Sequence, residues 1–91
     1  NEIPARYNLY QSYPNPFNPV TNIKFDISKT SNVKLTVYDV TGRKVQELIN
    51  GELKAGTYKA EWNASQYASG VYFYTLSSGD YIQTKKMMLV K

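Results

Sequence analysis

Polar and apolar residues alternate along most of this chain with a period of two. TNIKFDI places Ile23, Phe25 and Ile27 on one face and Asn22, Lys24 and Asp26 on the other. VKLTVYD repeats the pattern, with Val33, Leu35 and Val37 against Lys34, Thr36 and Tyr38. Successive side chains of a strand point to opposite faces, so this period with β-branched residues predicts half-buried strands. KAGTYKAEWN alternates again, with Tyr58, Ala60 and Trp62 on the buried side. GVYFYTL is bulky on both faces, which suits a central strand covered on each side or a strand with one exposed aromatic face. The last run, YIQTKKMMLVK, sets Met87 and Leu89 against Met88 and Val90. At that length it predicts a bend or a bulge.

The breaks between these runs are turn formers. SKTSN is small and polar, DVTGRK puts Gly42 where a short hairpin loop wants positive φ, SSGD is a tight turn, and ASQYASG is a loop or a single helical turn. A short run around Tyr7 to Gln11 adds a further strand. KVQELIN reads two ways. Val45, Leu48, Ile49 and Leu53 have helical spacing, yet Asn50-Gly51 and the preceding turn argue for a strand, which is the reading adopted. Several short strands without a long helix predict an all-β sandwich, with a small barrel as the alternative.

The segment YPNPFNP interrupts this regularity. Pro14, Pro16 and Pro19 lack backbone donors and have φ fixed near −65°. They also steer Tyr13, Asn15 and Asn18 away from helix. An inner strand is excluded, and the segment is expected to arrive stiff and extended. Phe17 can then plug an apolar gap between sheets, while Asn15 and Asn18 bond to exposed backbone. Two roles follow: a crossover that covers a sheet edge, or a preformed ligand for another protein.

Composition narrows the chemistry. The chain has 91 residues, enough for one domain and one core, with no cysteine to cross-link it. It begins at Asn1, not at methionine, and is expected to be part of a longer polypeptide with residues 1–6 as a linker and 7–91 as the domain. No stretch approaches the ~20 apolar residues a membrane helix needs, so direct membrane insertion is not expected. The net charge of +4 comes from lysines spread along the chain, which is no footprint for nucleic acid. The absence of histidine and cysteine removes the commonest general base and the usual transition-metal ligands. Asp26, Asp39 and Asp80 read as turn formers or solvated positions. No catalytic, metal or cofactor site is predicted.

Five blocks, taken together, carry a family resemblance: YPNPFNPVTNIKF, VKLTVYDVTGRKVQEL, AGTYKAEWN, SGVYFYTLSSG and KKMMLVK, in this order. From about Tyr7 to Lys91 the chain resembles the type A C-terminal sorting domain of the type IX secretion system. The resemblance implies an immunoglobulin-like sandwich of about seven antiparallel strands, non-catalytic, read by the type IX translocon to export an upstream cargo across the outer membrane. It also implies a sortase-like protease acting ahead of Tyr7. The family's motif positions fall on Pro14, Asn15, Pro16, Gly42, Gly70, Tyr72, Lys86 and Lys91. With Phe17, Asn18 and Pro19 from the proline segment, these are the candidate partner-binding residues, Gly42 apart. A second likeness, to the immunoglobulin-like module of flagellar hook-capping proteins, rests on VYDVTGRKV, the AG…W block and SGVYFY. That module usually has a longer insert where this chain has NASQYA.

Two other functions compete. Tyr7, Tyr10, Tyr13, Tyr38, Trp62 and Tyr67 could line a stacking platform for carbohydrate, or the domain could be a structural spacer beside an extracellular enzyme.

Overall fold

The computed structural model describes residues 3–91, so the first two residues of the expected linker lie outside the described part. Seven strands form: β1 (Asn8–Leu9), β2 (Val20–Ile27), β3 (Ser31–Tyr38), β4 (Lys44–Leu53), β5 (Gly56–Asn63), β6 (Gly70–Ser78) and β7 (Tyr81–Leu89). They make two sheets, a three-stranded one in the order β1-β2-β5 and a four-stranded one in the order β4-β3-β6-β7, with every strand pair antiparallel. The fold is the all-β, immunoglobulin-like sandwich expected.

The predicted faces are the observed ones. Ile23, Phe25 and Ile27 of β2 meet Val33, Leu35 and Val37 of β3 in the core, with Trp62, Tyr74, Leu76, Met87 and Leu89. Gly42, at φ +86°, closes the β3–β4 loop, in which the Asp39 carboxylate accepts bonds from Thr41 N–H, Thr41 hydroxyl and Arg43 N–H. Gly79, at φ +59°, closes the two-residue β6–β7 turn. Both positions need a backbone that a side chain would oppose. ASQYASG is a loop with one turn, closed by Tyr67 N–H on the Ala64 carbonyl.

The helical spacing in KVQELIN has a structural cause. β4 is a strand, and its register against β3 slips twice, between Leu35 and Thr36 and between Val37 and Tyr38. The unpaired residues are Leu48 and Val45. Each bulge resets which residues face inward, so Val45, Leu48, Ile49 and Leu53 all pack against the core from one strand. Of the bend or bulge expected in the last run, the bulge is absent, because β7 keeps one register against β6 from Tyr81 to Leu89.

Asp26 departs from its expected solvated position. It is buried, and it accepts hydrogen bonds from Asn8 Nδ2, the Tyr10 hydroxyl and Thr57 Oγ1. One carboxylate thus ties the entry segment and β5 to β2. Tyr74 makes a second tie. Its buried hydroxyl accepts Ser12 N–H at 2.8 Å and donates to the Tyr10 carbonyl at 2.9 Å.

Two outcomes are expected. Burial works to raise the Asp26 pKa, but the bonds from Tyr10, Thr57 and Asn8 and the nearby Lys24 ammonium outweigh it and hold the carboxyl below its ordinary value. The unfolded chain therefore takes up this proton first, near its unfolded value of about 3.9. The stabilisation is present above that pH and is lost as pH falls through the lower folded value. Melting temperatures measured from pH 6 to pH 2 should fall less steeply for Asp26→Asn than for the parent. Tyr74→Phe leaves Ser12 N–H and the Tyr10 carbonyl without their partner. Chemical denaturation should show a loss of about 1–3 kcal/mol.

Candidate recognition surface

The proline segment connects the two sheets. Tyr13 pairs with Asn22 of β2 through both backbone bonds, at 2.9 and 3.0 Å, and Thr21 Oγ1 donates to the Pro14 carbonyl. Four residues after Tyr13, Phe17 forms a parallel bridge with β7: its N–H donates to the Met88 carbonyl, and its carbonyl accepts Val90 N–H, each at 3.0 Å. Asn15 Oδ1 accepts Met88 N–H, and Gln11 Nε2 donates to the Lys86 carbonyl. The segment is therefore an edge cap for the second half of β7.

The expectation of an extended segment is corrected here. The backbone bends at residues 14–16 and again at 18–19, and the peptide bonds preceding Pro14, Pro16 and Pro19 are cis. A straight rod could not pair with β2 at Tyr13 and with β7 at Phe17 while sending the Phe17 ring inward. The bends satisfy all three demands.

Phe17 is 2% exposed and does plug the gap between the sheets. Its ring lies 5.7 Å from that of Trp62, which also contacts Tyr67 and Tyr72 at 5.7 and 5.4 Å. Tyr72 is likewise buried, and its hydroxyl donates to the Ala68 carbonyl. Burial, with a smaller contribution from Asp39, raises the Tyr72 pKa. Phe17 and Tyr72 are thus core residues that shape the surface without touching what lies outside it.

Lys91 is committed to its own chain. Its ammonium donates to the Ser65 and Tyr67 carbonyls, both at 2.8 Å, and its backbone N–H donates to Ser69 Oγ. This candidate partner-binding residue thus spends its ammonium on clamping the β5–β6 loop. Gly70 opens β6 beside that loop, opposite Leu89.

The exposed remainder converges. Pro14, Asn15, Pro16 and Asn18 are exposed, Pro19 is half-buried, and Lys86 and Met88 project from the outer face of β7. A groove of about 200 Å³ lies between the cap and the sheet, lined by Asn15, Pro16, Val71, Lys86, Met87 and Met88. It brings together residues more than 70 positions apart, as the Asn15–Met88 bond records. Sequence reading missed Gln11 and Tyr74, which hold this assembly. Their side chains reach across the sandwich, and no local pattern carries that information.

The stacking platform does not assemble. Trp62 is in the core, Tyr7 stacks on Tyr81 at 5.3 Å, Tyr10 lies under the Lys24 ammonium, and Tyr38 belongs to the four-stranded sheet. Among the described residues, no group of three or more acidic residues is placed to hold a metal ion.

A two-sheet module whose first edge cap and last strand jointly present a groove is the class of protein defined by this geometry. Residues 11–91 match the family described as the secretion system C-terminal sorting domain, and the chain belongs to that family. It is a sorting signal for type IX secretion. Among solved structures, it resembles dimeric latent PorU from Porphyromonas gingivalis with a TM-score of 0.67 and 20% identity, over 92% of this chain and 9% of that one. At that identity the likeness speaks for the fold, and the chain spans only a small part of that protein's length. No curated protein matches.

Truncating the plug should expose its dependence. Phe17→Ala is expected to cost about 3–5 kcal/mol. Hydrogen exchange should quicken most at the Met88 and Val90 amides, more than in central strand β3.

Proposed function

We propose that the groove formed by Asn15, Pro16, Lys86 and Met88, together with the exposed Pro14 and Asn18 of the same segment, is the face read by the type IX translocon. An upstream cargo on the same polypeptide is thereby exported across the outer membrane to the cell surface or the medium. The observation that carries this reading is the junction itself. Family motif residues from the two ends of the domain lie in one small exposed site, held there by the Asn15–Met88 bond. An exposed cation beside apolar side chains suits recognition in which charge guides the encounter and apolar contact retains it.

The same reading assigns no chemistry to the domain; its part is to be recognised as a folded body. The segment before Tyr7, where Ile3, Ala5 and Arg6 are exposed, is where a sortase-like protease would act. The carbohydrate reading is not favoured, since its aromatic residues are dispersed.

Removing Met87–Lys91 would be a poor test, because Met87 and Leu89 are core residues and their loss unfolds the sandwich. Lys86→Glu combined with Met88→Glu changes only exposed side chains. Fused behind a reporter with a signal peptide, in a host that carries the translocon, this pair should cut export at least tenfold while the melting temperature stays within a few degrees of the parent. Unchanged export by the folded variant would overturn the assignment of the groove.

A further inference from the structure

The edges of the two sheets are not equally closed. β1 is only two residues long, and β4 carries two bulges. β5 sets Thr57, Lys59 and Glu61 on its exposed face. Short, bulged or charged edges are the usual defences against unwanted strand pairing. β7 is closed only in its second half. Met88 uses both its N–H and its carbonyl outward, toward Asn15 and Phe17, and the Lys86 carbonyl turns outward to Gln11. Since β7 pairs with β6 in one unbroken register, the same parity turns the N–H and carbonyl of Ile82 and Thr84, and the N–H of Lys86, toward the outside. Among the described residues no group meets them. The stretch Ile82-Gln83-Thr84 carries no charge, and Ile82 is 69% exposed.

We propose that this open half of β7 takes an added strand from a partner protein: an extended segment with an apolar residue at one end and two carboxylates at the other. Cross-strand pairs set this pattern. The apolar residue lies beside Ile82 on the outer face, and the carboxylates lie beside Lys85 and Lys86, one on each face of the strand. Gln11 and the proline cap fix where the added strand must stop, because beyond Lys86 the edge is already occupied. Main-chain bonds supply the holding interaction, and the two lysines select an acidic segment. The inference rests on the sorting reading only for its biological role, since strand addition itself is a property of this edge.

Thr84→Pro isolates the edge. It removes a donor that points outward while leaving the bonds to β6, and proline is tolerated at edge positions of this kind. Thr84→Val is its partner variant, since both lose the hydroxyl bond to Thr75 and only the valine keeps the N–H. The probes are the synthetic peptides acetyl-Thr-Val-Thr-Val-Glu-Glu and its reverse, covering both strand directions, and their lysine-for-glutamate versions. In NMR titrations of the 91-residue chain, one glutamate peptide should shift the Ile82, Thr84 and Lys86 amides. It should bind at least tenfold more tightly than its lysine version and at least tenfold more tightly to Thr84→Val than to Thr84→Pro. Absence of edge shifts at millimolar peptide, or equal binding by the two variants, overturns the proposal. Should Thr84→Pro fail to fold, Ile82→Pro replaces it by the same logic. In the reporter fusion, export by Thr84→Pro at least tenfold below Thr84→Val would place strand addition in sorting, and equal export would remove it from sorting. Failure of the parent fusion to be exported would overturn the sorting reading and leave the titration to decide this one.

Discussion

Insertion of the Phe17 ring between the sheets is the interaction on which the candidate surface depends. Full burial of such a ring contributes roughly 1.5–3 kcal/mol, a substantial share for a domain of this size. Its placement also fixes what surrounds it. With the ring against Trp62, the Phe17 backbone can only lie along β7, and its bonds to Met88 and Val90 follow. The exposed Pro14, Asn15 and Pro16 are then held between two anchored points, Tyr13 on β2 and Phe17 on β7. Little chain entropy remains for a partner to remove, which is the advantage of a preformed site.

Where the sequence was legible, one face of a strand was buried and the other was wet. β2, β3 and β5 announce themselves through Ile23, Leu35 and Trp62 and their neighbours, because burial on one side forces the alternation. β4 obscured its identity, since two bulges rewrote a period of two as Val45, Leu48, Ile49 and Leu53. The candidate site was legible in part. The prolines, Asn15 and Phe17 stood out by composition, and Lys86 by its place in the terminal block. That Tyr72 lies in the core and Lys91 is bound to the β5–β6 loop depends on contacts with residues 64–69, which no local pattern in either segment encodes. Asp26 looked like any polar position alternating with lysine until the entry segment folded over it.

Four of the nine tyrosines gain a common explanation from these contacts. A chain with no cysteine must fasten its loops by other means. Four tyrosine hydroxyls donate to backbone carbonyls: Tyr58 to Lys54, Tyr67 to Val45, Tyr72 to Ala68 and Tyr74 to Tyr10. Tyrosine suits this task because its ring adds apolar area to the packing while its hydroxyl reaches the polar margin. Tyr72 and Tyr74 enter from β6, a strand paired on both sides, so a central element of the larger sheet holds the β5–β6 loop and the entry segment together.

This arrangement separates what must be stable from what must be seen. The aromatic rings and tyrosine hydroxyls act from inside, so the exposed positions of the proline cap and β7 are free of packing duties. Lys86 and Met88 alternate with buried Met87 and Leu89 on the same strand, and that alternation lets one strand serve both ends. The parity also limits how the surface can vary. An insertion of one residue in β7 would send Lys86 inward and Met87 outward, losing core packing and the groove together. Recognition and folding are therefore coupled through the register of one strand, and the cap formed by Gln11, Asn15 and Phe17 opposes a slip of that register by binding Lys86, Met88 and Val90 at fixed points.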